Sequence, residues 1–128
     1  MSRLVLDTHV ALWWSFLPEK LSRTARKSLD DAAQLLLPSI IFWETALLIR
    51  KRRIELPVSV GEWLAGLEGG KRFLVVALDG ETAIEADGLA MHEDPADRLI
   101  VATALRCKAA LVTKDRAIRA TKIVQVVW

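Results

Sequence analysis

One cysteine, Cys107, and two histidines stand in a chain of 128 residues. That scarcity excludes an internal disulfide framework and any Cys/His zinc site. Long apolar runs are missing too. Stretches such as Ile40–Trp43 and Leu99–Val101 fall far short of the ~20 residues a bilayer span needs, so no membrane contact is expected. Asp7 follows the N-terminus too closely for a secretory leader, which makes the cytoplasm the expected compartment. Neither GxGxxG nor GxxxxGK[ST] occurs, so nothing offers a phosphate-cradling loop. There are no internal repeats, no low-complexity segments and no linker.

What is present is an ordinary globular composition: 52% apolar and 27% charged residues, the balance of a chain with a real core. A chain this long buries roughly two-thirds of its unfolded surface and suffices for one domain, expected over 1–128. The net charge of +2 is only mildly basic, but its distribution is uneven. Between Arg72 and Arg98 no Lys or Arg occurs, while Asp79, Glu81, Glu85, Asp87, Glu93, Asp94 and Asp97 do. From Arg98 to Lys122 the sign reverses around a lone acid, Asp115, and Arg50-Lys51-Arg52-Arg53 forms a second basic block. Solvated helix faces are the plain account of such blocks.

Short apolar runs alternate with longer helical patterns. Strands are expected at Arg3–Leu6, Leu35–Leu37, Phe73–Ala77, Ala110–Thr113 and Ile123–Val127. Helices are expected at Val10–Phe16, Leu21–Ala33, Ile40 to about Lys51 with Ser39 as N-cap, Val60–Leu67 and Gly80–Met91. A further helix runs from Asp94-Pro95 to about Arg106, with Pro at the first helical position. Strands apolar on both faces and separated by helices indicate a mostly parallel sheet of about five strands. The expected fold is a three-layer α/β/α sandwich of Rossmann-like type.

The informative residues are acids placed where a core is expected. Asp7 directly follows the strand Leu4-Val5-Leu6, and Asp115 lies two residues beyond Leu111-Val112-Thr113, each at a carboxyl end. In open parallel sheets ligands bind outside those ends, where the strand order reverses. If the first and fourth strands are neighbours, both carboxylates line one crevice; taken singly, each also reads as a loop or N-cap acid. Glu44 is the only charged residue between Asp31 and Arg50, with Ile40, Ile41, Leu47 and Leu48 as its helical neighbours. Such a carboxylate is costly unless paired with an arginine, protonated or bound to a cation. Asp97 shares a helical stripe with Ile100, Val101 and Ala104, while Asp94 suits capping of the same helix. Four convergent carboxylates cannot all ionise unaided. Mg²⁺ or Mn²⁺, which prefer oxygen ligands, are the natural neutralisers, and phosphodiester hydrolysis is the chemistry they suit.

Four fragments carry a wider likeness: Leu4-Val5-Leu6-Asp7-Thr8-His9, Pro38-Ser39-Ile40-Ile41-Phe42-Trp43-Glu44, His92 through Ala104, and Leu111-Val112-Thr113-Lys114-Asp115. In this order and spacing the chain resembles the PIN-domain ribonucleases, specifically the toxins of VapBC-type toxin–antitoxin pairs. The resemblance implies a PIN-like fold and hydrolysis of RNA at an acidic quartet that falls on Asp7, Glu44, Asp97 and Asp115. Asp7, Asp97 and Asp115 would hold Mg²⁺ or Mn²⁺, with Thr8, Asp94 and Thr113 supporting them from beside the site. A homodimer and a cognate antitoxin covering the site are further implications.

Around that centre, Arg50, Lys51, Arg52, Arg53, Lys114 and Arg116 are candidates for RNA phosphates. Trp13, Trp14 and Trp43 fall in apolar runs, which favours packing over stacking on unpaired bases. His9 and His92 receive no role, and Val126-Val127-Trp128 reads as an edge strand. Two other functions compete with the ribonuclease. An aspartyl phosphatase would use Asp7 as nucleophile, but it would want an acid where His9 stands. A noncatalytic RNA- or partner-binding module would treat the acids as structural.

Overall fold

Every side chain of Leu4-Val5-Leu6 and Leu35-Leu36-Leu37 is sealed from solvent, as is Leu111-Val112. Strands this apolar on both faces need cover on both faces. The computed structural model, which describes residues 2–128, supplies it with helices around a five-stranded, all-parallel sheet. The strands are β1 (Arg3–Leu6), β2 (Gln34–Pro38), β3 (Phe73–Val76), β4 (Ala110–Val112) and β5 (Val126–Val127). The helices are α1 (Thr8–Phe16), α2 (Arg23–Asp31), α3 (Ile40–Arg50), α4 (Val60–Glu68), α5 (Gly80–Asp87), α6 (Pro95–Cys107) and α7 (Arg116–Thr121). Among the described residues no helix is long and apolar enough to cross a membrane.

The sheet order is β3-β2-β1-β4-β5. The chain steps outward from β1 to β3, then returns to place β4 against the free side of β1, with Val5 opposite both Leu36 and Leu111. Right-handed crossovers then put the helices of the two halves on opposite faces. The connections leaving β1 and β4 diverge, so the crevice at their carboxyl ends stays open.

Local differences from the sequence reading have specific causes. Expected at Leu21–Ala33, the second helix instead begins after a 3-10 turn at Pro18–Lys20, where Ser22 Oγ accepts from Ala25 N–H at 3.0 Å. It stops at Asp31 because Arg72 draws the carbonyls of Leu29, Asp30 and Ala32 onto its guanidinium, at 2.9, 3.1 and 2.7 Å. The helix expected to reach Met91 ends at Asp87, before Gly88. Ser39 does not cap α3 through its side chain: its backbone is already helical, and its hydroxyl accepts from Leu78 N–H at 3.1 Å, tying α3 to the exit of β3. The six-residue α7, hidden from the sequence reading within a basic stretch, forms because Asp115 caps it. The last strand narrows to two residues, and Trp128 beyond it packs its ring 5.9 Å from that of Trp13.

Candidate functional site

The divergence of β1 and β4 leaves Asp7 and Thr113 side by side just beyond the sheet. Asp7 is the N-cap of α1: Oδ1 accepts from Val10 N–H at 2.9 Å, and Oδ2 accepts from the buried Thr113 hydroxyl. The Thr113 oxygen in turn accepts from Asp115 N–H at 3.1 Å. Asp115 caps α7 with Oδ1, receiving Ala117 and Ile118 N–H at 2.8 and 3.1 Å. Its reading as an N-cap acid and its place at the crevice are therefore both correct.

Across the crevice, Glu44 projects from α3 and accepts the hydroxyl proton of buried Thr8 through Oε1. Among the described residues no Lys or Arg pairs with Glu44, so the arginine salt bridge considered for it is not made. Asp97 lies in the first turn of α6, where Asp94 Oδ1 accepts its backbone N–H at 3.0 Å. Carboxylate oxygens of Glu44, Asp94 and Asp97 come within 4.8 Å of one another, and ligand atoms of His92, Asp97 and Asp115 do the same. Asp97 belongs to both groups. Asp7, Thr8, Glu44, Asp94, Asp97 and Asp115 line one cavity of about 430 Å³, together with His9, Trp13 and Lys114.

Negative charge dominates this cavity. The Asp97 carboxyl is pushed up to about 7, first by burial and then by the charges of Asp94, Glu44, Asp115 and Asp7. Burial also raises Asp7, against the opposing hydrogen bonds from Thr113 and Val10 and the nearby His9, with Glu44 adding to the rise. Two acids held above their ordinary range show that the negative charge gathered here outweighs its protein partners. The donor set, carboxylate oxygens with two hydroxyls close by, fits a hard divalent ion.

The other expected residues divide. Lys114 lines the cavity. Arg50, Lys51, Arg52 and Arg53 are all exposed at the end of α3, with Arg52 in a left-handed turn (φ 59°), and none of them lines the cavity. Arg116, exposed in the first turn of α7, does not line it either. Two residues given no role stand close to the acids. His92 Nε2 lies 3.3 Å from Asp97 Oδ2, and its Nδ1 accepts from Asp94 N–H at 3.3 Å. A lone histidine in a loop carries no periodic signal, so only the fold brings it there.

Arg98 is the other unassigned residue. Rather than a solvated member of the basic block, it is largely buried and donates to the carbonyls of Ala86, Asp87, Met91 and His92 at 2.9, 3.2, 2.8 and 2.9 Å. These bonds satisfy the open C-terminal end of α5 and staple the loop bearing His92 and Asp94 to the helix bearing Asp97. Arg106, by contrast, does join the two charge blocks on the surface, pairing with Glu81 and Glu85 at 2.6 and 3.5 Å.

Arg98→Met is expected to lower the unfolding free energy by about 2 kcal/mol, since hydrogen bonds to a charged donor are lost. Hydrogen exchange should quicken first at Met91 and Asp94, and urea denaturation gives the total.

Asp97 sets a second expectation. Its folded pKa exceeds the unfolded one, so the folded state holds its proton more tightly. Stability then falls as pH climbs from about 4 to about 7, and the full cost is present above that. In EDTA, the Tm at about pH 8 should lie roughly 5 °C below that at about pH 5. Asp97→Asn should raise the Tm at the higher pH and flatten the dependence, as read by calorimetry.

Comparison with known proteins adds independent observations. A family model described as the PIN domain matches residues 4–124. Ribonuclease VapC22 of Mycobacterium tuberculosis is 38% identical over 119 residues, covering 93% of this chain and 92% of the relative. A toxin–antitoxin complex from Klebsiella pneumoniae contains a chain of similar fold, with a TM-score of 0.67 at 16% identity, covering 98% of this chain and 96% of that one. The crystal structure of Mycobacterium tuberculosis VapC20, a sarcin–ricin loop cleaving toxin, gives 0.67 at 14% identity over 96% and 98% of the two chains.

Proposed function

Because this chain belongs to the PIN-domain family and is of the VapC type, we propose that it is an endoribonuclease dependent on Mg²⁺ or Mn²⁺. In this reading residues 1–128 form one nuclease domain that acts in the cytoplasm as the toxin of a toxin–antitoxin pair. The observation that carries it is the meeting of Asp7, Glu44, Asp97 and Asp115, from four remote segments, in one cavity that contains no arginine. The printed activity of the 38%-identical relative, a ribonuclease, supports RNA as substrate. The Klebsiella complex supports an antitoxin as partner, and we include a homodimer in the same proposal.

Asp7, Asp97 and Asp115 would hold the ion, and Glu44 would complete the acidic wall. When bound, such an ion supplies a lowered water pKa and neutralises charge on phosphoryl oxygens. The chain's own residues prepare for this. Thr113 and Val10 N–H fix both oxygens of Asp7 and favour its ionised form. Thr8 orients Glu44, leaving Oε2 as the free acceptor. Asp94 secures the first turn of α6, where the helix dipole favours negative charge on Asp97. Lys114 at the cavity, with Arg50, Lys51, Arg52, Arg53 and Arg116 farther out, would contribute salt-sensitive attraction to RNA phosphates.

Asp7→Asn and Asp97→Asn should each reduce RNA cleavage at least about a hundredfold. EDTA should abolish cleavage in the parent, and Mg²⁺ or Mn²⁺ should restore it. Mg²⁺ should also raise the parent's Tm at about pH 8 and leave that of Asp97→Asn unmoved. Cleavage that persists in excess chelator, or in both variants, would favour a noncatalytic role for the acids.

A further inference from the structure

Of the three tryptophans that raise the question of base stacking, the fold separates one from the others. The Trp14 ring lies beneath the Arg72 guanidinium, 5.7 Å away. Trp43 is 55% exposed, but it does not line the acidic cavity. Trp13 does, and it also walls a neighbouring groove of about 360 Å³ bounded by Phe16, Ile54 and Leu56. With His9, which also lines both, it forms the partition between the two.

This indole is partly buried and packs against the core, but the rest of its surroundings are aromatic edges and cations. His9 and Trp128 meet it tilted, at 51° and 53°, so neither stacks on it. Two lysine ammoniums lie over the ring, Lys114 at 5.9 Å and Lys20 at 6.0 Å from the centroid. Both lysines are exposed, and among the described residues neither forms an ion pair. For Lys114 this is notable: it adjoins Asp115 in sequence and lines a cavity of carboxylates, yet its charge is directed over the aromatic ring.

We propose that Trp13 and Lys114 form a nucleotide subsite at the rim of the acidic cavity. An unpaired base stacks on the indole while the lysine ammonium takes the adjoining phosphate. The inference rests on the ribonuclease reading above and names where its substrate is gripped. A flexible lysine over an indole is readily exchanged for a base, because both favour the electron-rich face and the displaced ammonium keeps its charge nearby. Only a single-stranded segment can present a free base face, so the subsite selects unpaired RNA and tolerates any base. The cationic rim also answers a difficulty of the acidic cavity, which by itself repels a polyanion. An apolar peptide segment would suit the Ile54–Leu56 side of the partition, but an unpaired lysine on each side of it, Lys114 in the acidic cavity and Lys20 in the groove, favours a phosphate-bearing chain.

The test uses the full chain carrying Asp7→Asn in EDTA, so that hydrolysis does not intrude, and a short, labelled, mixed-sequence oligoribonucleotide. Trp13→Phe should bind within about threefold of the parent, and Trp13→Leu about tenfold more weakly. Lys114→Gln, at an exposed position that leaves the fold alone, should reduce the salt slope by about 0.7. Equal affinities for the phenylalanine and leucine variants would overturn the proposal, as would an unchanged salt slope or a parent that does not bind. So would a leucine variant that keeps its RNA affinity but loses the antitoxin, since the wall would then belong to a protein partner. Cleavage by the chain without Asp7→Asn is assayed separately. A chain that cuts no RNA yet shows the phenylalanine-over-leucine order refutes the nuclease reading and not the subsite. An active chain whose KM is unmoved by Trp13→Leu refutes the subsite and not the nuclease.

Discussion

The pairing of β1 with β4 is the constraint on which the rest of this structure depends. Val5 can have Leu36 on one side and Leu111 on the other only if the chain, having built outward to β3, returns across the sheet. That return makes the connections from β1 and β4 part company, which leaves the strand ends uncovered. Two short hydrogen-bonded links then seat the functional groups. Thr113 joins Asp7 to the start of α7, and Thr8 joins α1 to Glu44 on α3. Each link is a buried hydroxyl set against a carboxylate, so the acids are held by neutral partners that leave their charge unbalanced.

This imbalance opposes stability. Asp97 near 7 and an elevated Asp7 mean that folding brings together groups that would separate in the unfolded chain. The hydrophobic strands and the Arg98 staple offset that cost, and the result is a site of concentrated negative charge held in place by the fold. Preorganised negative charge of this kind is an ordinary signature of functional sites. Here it rests on geometry as well as on ionisation, because four distant segments supply the groups.

Much of this was legible in the residues. The strands could be read because they are consecutive apolar runs, and the meeting of Asp7 with Asp115 was legible on the condition, met by the pairing of β1 with β4, that the first and fourth of them are neighbours. Glu44 stood out as a lone charge among apolar neighbours. What escaped notice depends on partners remote in sequence. Arg98 reads as one more basic residue until the ends of α5 and its loop fold onto it. Ser39 reads as a helix cap until Leu78 N–H claims its hydroxyl. Nor does the Arg50–Arg53 block reveal its distance from the acids: α3 sets it at and just beyond its C-terminal end, outside the cavity lining. Composition cannot distinguish a cation that faces a site from one that faces water.

The Arg98 staple also bears on how the molecule tolerates change in length. Four carbonyls between Ala86 and His92 must reach one guanidinium, so the connection from α5 to α6 has a set span. An inserted or deleted residue there would shift His92 and Asp94 out of register with Asp97. The stretch Pro57–Ser59 is exposed, and its only bonds are those of the α4 cap at Ser59. Epitopes, reporter modules or new chain ends therefore belong at Pro57–Val58, where the backbone has no comparable obligations.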